Sequence, residues 1–87
     1  MSAFKSKAIL LLSGPGESPG LEKAREKALS TLAPFSLSVD DVQSINLGGR
    51  LILALLISCD QAHLPAIEKD LREQFASSSI DVAAELL

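Results

Sequence analysis

One apolar spacing occurs twice in this chain of 87 residues, and it restricts the possible folds more than any other feature. Leu21, Ala24, Ala28 and Leu32 stand at i, i+3, i+7 and i+11, and Leu64, Ile67, Leu71 and Phe75 repeat the pattern. Each set is a single stripe along an amphipathic helix. The wet sides carry Glu22, Lys23, Arg25, Glu26 and Lys27 in the first, and Glu68, Lys69, Asp70, Arg72 and Glu73 in the second. Such charged faces read as ordinary solvated surface. Ala8–Leu12, a continuous apolar run of strand length, precedes the first helix. Pro34 ends that helix, because a residue before proline, here Ala33, is pushed out of helical geometry.

Between the helices lie two further strands. In the stretch Phe35–Leu47, Phe35, Leu37 and Val39 alternate, Val42 falls out of phase, and Ile45 and Leu47 restore the odd numbering. That slip predicts a bulge or bend at Asp40-Asp41. Gly48-Gly49 is a two-residue hairpin turn leading into Arg50–Ile57. The second helix starts near Pro65, Ser77-Ser78-Ser79 breaks it, and Ile80, Val82, Ala84 and Leu86 alternate along a fourth strand.

The order βαββαβ predicts one α+β domain over residues 1–87, a ferredoxin-like sandwich: a four-stranded antiparallel sheet with both helices on one face. Strands one and three lie at its centre. Helices cover one face only, and a free face normally alternates with polar residues. Ala8–Leu12 and Leu51–Ile57 do not alternate, so the free face exposes large aliphatic side chains. Self-association through the sheet, as a dimer or larger homo-oligomer, is the expected remedy.

Composition narrows the function. Apolar residues make up 47% and charged residues 22%, as in a globular chain rather than a disordered one. With net charge −3, no Trp, no Tyr and three Phe, the chain lacks the basic footprint and stacking platforms of a nucleic-acid binder. A single cysteine, Cys59, rules out an internal disulfide and a cysteine-based zinc cage, and a lone thiol suits a cytoplasmic setting. The longest apolar run, Leu51–Ile57, is far below the ~20 residues of a spanning helix, so no membrane partner is expected.

The stretch Ser13-Gly14-Pro15-Gly16-Glu17-Ser18-Pro19-Gly20-Leu21 joins the first strand to the first helix. A strand that breaks into glycines and restarts as a helix exposes backbone N–H groups to a small anion or zwitterion. Ser18 is placed to cap the helix and Pro19 to take its first position. For a bound amino acid, the N–H groups of Gly20 and Leu21 would meet the carboxylate, with Glu17 or Asp41 holding the ammonium group. A purely structural reading stands beside this one, in which the glycines make a tight turn and Asp41 caps a bulge.

The βαββαβ order, the Gly-rich turn ending in Pro19-Gly20-Leu21, and Asp41-Val42 on the second strand resemble an ACT domain over about residues 7 to 86. Asp41-Val42 followed by Gly49-Arg50-Leu51 is similar to the N-terminal ACT domain of bacterial phosphoserine phosphatases. The resemblance implies a regulatory domain that binds an amino acid, L-serine foremost, at a subunit interface, through Gly14, Gly16, Glu17, Gly20, Leu21 and Asp41. A pure assembly module without ligand is the alternative. The family commonly shows Gly-x-Asp-x-Pro-Gly in the loop. Here Gly14 to Pro19 reads Gly-Pro-Gly-Glu-Ser-Pro, one residue longer, so the acidic role falls to Glu17.

No catalytic residue is expected in this chain. The phosphatases so resembled act through an Asp-x-Asp motif in a separate domain, which would use Mg2+, and the aspartates here are 40, 41, 60, 70 and 81. No cofactor is therefore expected for this domain. The loop also lacks the Lys-Ser/Thr of a Walker motif and the Arg of an acylphosphatase. His63 reads as a surface or capping residue, lacking an orienting partner. Cys59 reads as a small core or edge residue rather than a nucleophile.

Overall fold

The computed structural model describes residues 6–15 and 20–87, with Leu21 through its backbone alone. The elements run β1 (Ser6–Pro15), α1 (Leu21–Leu32), β2 (Leu37–Leu47), β3 (Arg50–Cys59), a 3-10 turn (Gln61–His63), α2 (Leu64–Gln74) and β4 (Asp81–Leu86). They form one antiparallel sheet in the order β2-β3-β1-β4, the ferredoxin-like topology expected from the sequence. Helix α1 packs over β2 and β3, and α2 over β4.

The core lies between sheet and helices. Strand β3 alternates without error: Leu51, Leu53, Leu55, Ile57 and Cys59 are buried, while Ile52, Ala54, Leu56 and Ser58 are half-buried on the opposite face. Ala8, Leu10 and Leu12 of β1 join the buried set. From above, α1 contributes Ala24, Ala28 and Leu32, and α2 contributes Ile67 and Leu71, with Phe75 just beyond its end. The two small α1 side chains leave room for the large β3 residues beneath. Each fully buried leucine or isoleucine contributes roughly 1.5–3 kcal/mol.

The strands are longer than their apolar cores. β1 extends to Ser6 and Pro15, and β3 to Cys59, because ladder pairing carries polar ends along with it. The bulge falls where the phase slip placed it, with the β2–β3 register shifting between Val39 and Asp41. Gly48 and Gly49 have φ of 58° and 79°, the left-handed pair of a tight hairpin turn.

Two local expectations need correction. Helix α1 takes Gly20 as its N-cap, with no side-chain capping bond, so the first helical residue is Leu21 rather than Pro19. Ser18 and Pro19, like Gly16 and Glu17, lie outside the described residues. At the other end Ala33 keeps helical geometry (φ −54°, ψ −38°) and donates its N–H to the Leu29 carbonyl. Pro34 therefore stops the helix by lacking a donor of its own, not by displacing Ala33.

Candidate functional site

Three connections meet at one end of the sheet. Pro15, the last residue of β1, pairs with Arg50, the first of β3, so the β1–α1 loop leaves beside the Gly48-Gly49 turn. Ser13 pairs with Asp81, which brings the α2–β4 turn to the same end.

Gly14 is closely packed there. A Cβ at this position would lie 2.8 Å from the Ser79 carbonyl oxygen and 3.0 Å from Ile80 Cγ1. Its lack of a side chain thus lets the chain before β4 cross over the end of β1. Gly20 is different. It has φ 91° and ψ 159°, and a Cβ would meet nothing within 4 Å. Conformation rather than space demands glycine there. Its carbonyl accepts from the Ala24 N–H at 3.0 Å and opens the helical ladder. The first-turn N–H groups that follow have no intrahelical partner. They form the positive end of the helix dipole, partly balanced by the exposed Glu22 carboxylate.

Asp41 stands apart from this end. Its register partner is Leu56, six residues along β3 from Arg50, or about 20 Å of strand. Within one chain, therefore, Asp41 stands well away from Pro15, where the loop leaves β1. Its Oδ1 accepts from the Val42 N–H at 2.8 Å, and both carboxylate oxygens lie 3.3–3.4 Å from Gln43 Nε2. That local bonding satisfies the bulge.

Two residues passed over in the sequence take larger parts. Asp40, at the bulge, accepts from Ser38 Oγ at 2.6 Å, from Ser58 Oγ, and from Lys7 Nζ at 3.0 Å, tying β2 to β3 and β1 across the free face. These donors, the two hydroxyls first and then the ammonium, hold its carboxyl at about 2, below the ordinary 3.8. The only hint in the sequence was the phase slip, which could not say which of the two acids would be so engaged. Arg50 was noticed as part of Gly49-Arg50-Leu51 but not weighed as a site residue. The hairpin register places it against the base of the loop, as an exposed cation at that end.

Cys59 is fully buried, and burial, with the neighbouring Asp60 carboxylate, pushes its thiol up. His63 is exposed and caps α2 without a side-chain bond. Among the described residues, no three His, Cys, Asp or Glu side chains gather as a metal-ligand set, and no helix is long and apolar enough to cross a membrane.

With this geometry in view, the family follows. The ACT domain model matches residues 25–85, well over half of the chain, and the chain belongs to that family. It is an ACT regulatory domain. Similar solved structures include an ACT domain protein from Streptococcus pneumoniae, at TM-score 0.74 and 15% identity over 93% of this chain and 89% of that one. The ACT domain from GTP pyrophosphokinase of Chlorobium tepidum matches at TM-score 0.67 and 13% identity, over 95% of this chain and all of the other (100%). A formyltetrahydrofolate deformylase from Burkholderia mallei matches at TM-score 0.75 and 12% identity over 93% of this chain. This chain spans only 28% of the deformylase's length. At these identities the likeness is one of fold. No curated protein sequence matches the chain significantly.

Proposed function

We propose that this domain senses an amino acid at a subunit interface, L-serine foremost, and serves as the regulatory module of a cytoplasmic phosphoserine phosphatase. The observation that carries the reading is the start of α1: Gly20 as N-cap in a conformation that favours glycine, followed by the first-turn N–H groups of the helix. A ligand carboxylate is the natural complement. Gly14, Gly16, Glu17, Gly20 and Leu21 are the candidate contacts of one chain. Asp41, far from the end of β1 in its own chain, would serve the ammonium group of a ligand held by a neighbouring subunit. Binding at such a seam would bias the quaternary arrangement and so the attached active site. The parent enzyme would carry its Asp-x-Asp motif and Mg2+ in another domain.

The test is a titration with a panel of amino acids, read by amide shifts. The expected result is saturable movement of the Gly14, Gly20 and Leu21 signals with L-serine. If no amino acid moves them, the sensing role is lost. An Asp-x-Asp segment in the reading frame beyond Leu87 would support the phosphatase assignment.

A second reading is favoured by the free sheet face, where Leu11 is 40% and Ile45 51% exposed. On this reading the domain is an assembly module that binds nothing in its loop, and its oligomer is indifferent to added amino acids.

A further inference from the structure

On the outer side of the helix layer, away from the loop and the sheet face, α1 and α2 leave an open groove of about 700 Å³ between them. Lys23, Lys27 and Thr31 line it from α1, and Asp70 and Gln74 from α2. Side chains four apart stand one above the other on a helix, so each wall is a single row. Charges outside the groove are paired. On α2, Arg72 meets Glu68 at 2.7 Å and Lys69 meets Glu73 at 3.9 Å, both at i,i+4. Charges lining it are not. Lys23 and Lys27 set like charges one turn apart, and neither they, Glu26 nor Asp70 forms an ion pair among the described residues.

Lys27 has a fixed place. It is half-buried, and its Nζ lies 5.3 Å from the centroid of the buried Phe75 ring. β1 and β3, which lead into the two helices, are antiparallel, so α1 and α2 run antiparallel as well. Phe75 marks the level at which Lys27 meets α2. Asp70 comes five residues earlier, about 7.5 Å along the helix, toward the C-terminal end of α1. A cation and an acid thus share one groove at a separation that keeps them from satisfying each other.

We propose that this groove binds a zwitterion of dipeptide length, its carboxylate on Lys27 and Lys23 and its ammonium group on Asp70. The lining carries two cations and two carboxylates, so it favours a dipolar ligand over a simple anion. An α-amino acid bears both charges on one carbon and reaches only one end. A dipeptide spans about 7 Å, at about 3.5 Å per residue, and reaches both. The Gln74 amide, between the two charged ends, offers a donor and an acceptor to the peptide group. The groove lies apart from the loop before α1 and does not depend on the sensing role.

Titration of this chain with glycylglycine, read by amide shifts, tests the site. Saturable movement is expected at Lys27, Thr31, Asp70 and Gln74, weakening as salt is raised. N-acetyl-glycylglycine lacks the ammonium group and glycylglycine amide lacks the carboxylate. Each should bind at least about threefold more weakly, as loss of an exposed ion pair requires. Asp70→Asn should weaken glycylglycine about threefold and leave the N-acetyl form unaffected, a coupling that loss of the fold cannot imitate. Lys27→Gln should stand in the same relation to the amide form. No saturable movement at these positions overturns the inference, as does equal binding of the free and blocked forms. Movement of Gly14, Gly20 and Leu21 with L-serine beside a silent groove removes this site and leaves the sensing role. A groove that responds to glycylglycine beside a loop silent to every amino acid does the reverse.

Discussion

The two helices begin in opposite ways. Helix α2 is entered through a 3-10 turn whose first free N–H, that of Ala62, is taken by the Asp60 carboxylate at 3.0 Å, and Pro65 fills an early position that needs no donor. Helix α1 has the same apolar spacing and nearly the same length, yet opens on Gly20 with no side-chain cap. The turn that leads into α2 is closed by the chain's own Asp60 carboxylate, whereas at α1 the N-cap residue, Gly20, has no side chain to offer the first-turn N–H groups. In a fold built from a repeated βαβ unit, that asymmetry separates the end that only supports the sheet from the end proposed to bind.

Substitutions can break or sharpen this contrast. The largest effect is expected from Gly14→Val, which forces a side chain against the Ser79 carbonyl and should cost on the order of 3 kcal/mol in urea unfolding. Gly20→Ala should cost less, about 1–2 kcal/mol, because only the backbone conformation resists it, and it should abolish any amide response to amino acids. A Gly20→Ala domain that responds like the parent would mean that the backbone conformation at the α1 start plays no part in the response. Asp60→Ala removes the cap of the 3-10 turn that leads into α2, with an expected loss of about 1 kcal/mol and no change in ligand response.

The smallest effect concerns the acid that ties the free face together. The carboxyl of Asp40 lies at about 2 in the folded chain against an ordinary 3.8, so its contribution is present above pH 3.8 and is lost as pH falls through about 2. Thermal melts of the parent and Asp40→Asn should differ by a small constant amount above pH 4 and converge toward pH 2. A difference that persists unchanged to pH 2 would sever the link to its ionisation.

Much was legible without coordinates, for one reason. Residue spacing reports which side of an element is wet, and both helix stripes, the alternation of β4 and the bulge before Val42 are statements of that kind. Chain length and the hairpin glycines then left few topologies open. Local signals failed where the answer depended on a distant neighbour. Nothing near Gly14 in the sequence announces Ser79, and nothing near Asp40 announces Lys7 or Ser58, which lie on other strands. Asp41 reads as a companion of the glycine loop of the same or a neighbouring subunit, and only register shows that most of a strand's length separates it from the end of β1 in its own chain.

The sequence by itself determined the elements, their order and the apolar character of both sides of β1 and β3, since these depend on periodicity along the chain. Tertiary structure alone decided which acid is anchored, and which glycine is needed for space and which for conformation. Those properties arise where segments distant in sequence come within a few ångströms, and pairing register, which no local pattern encodes, sets those distances.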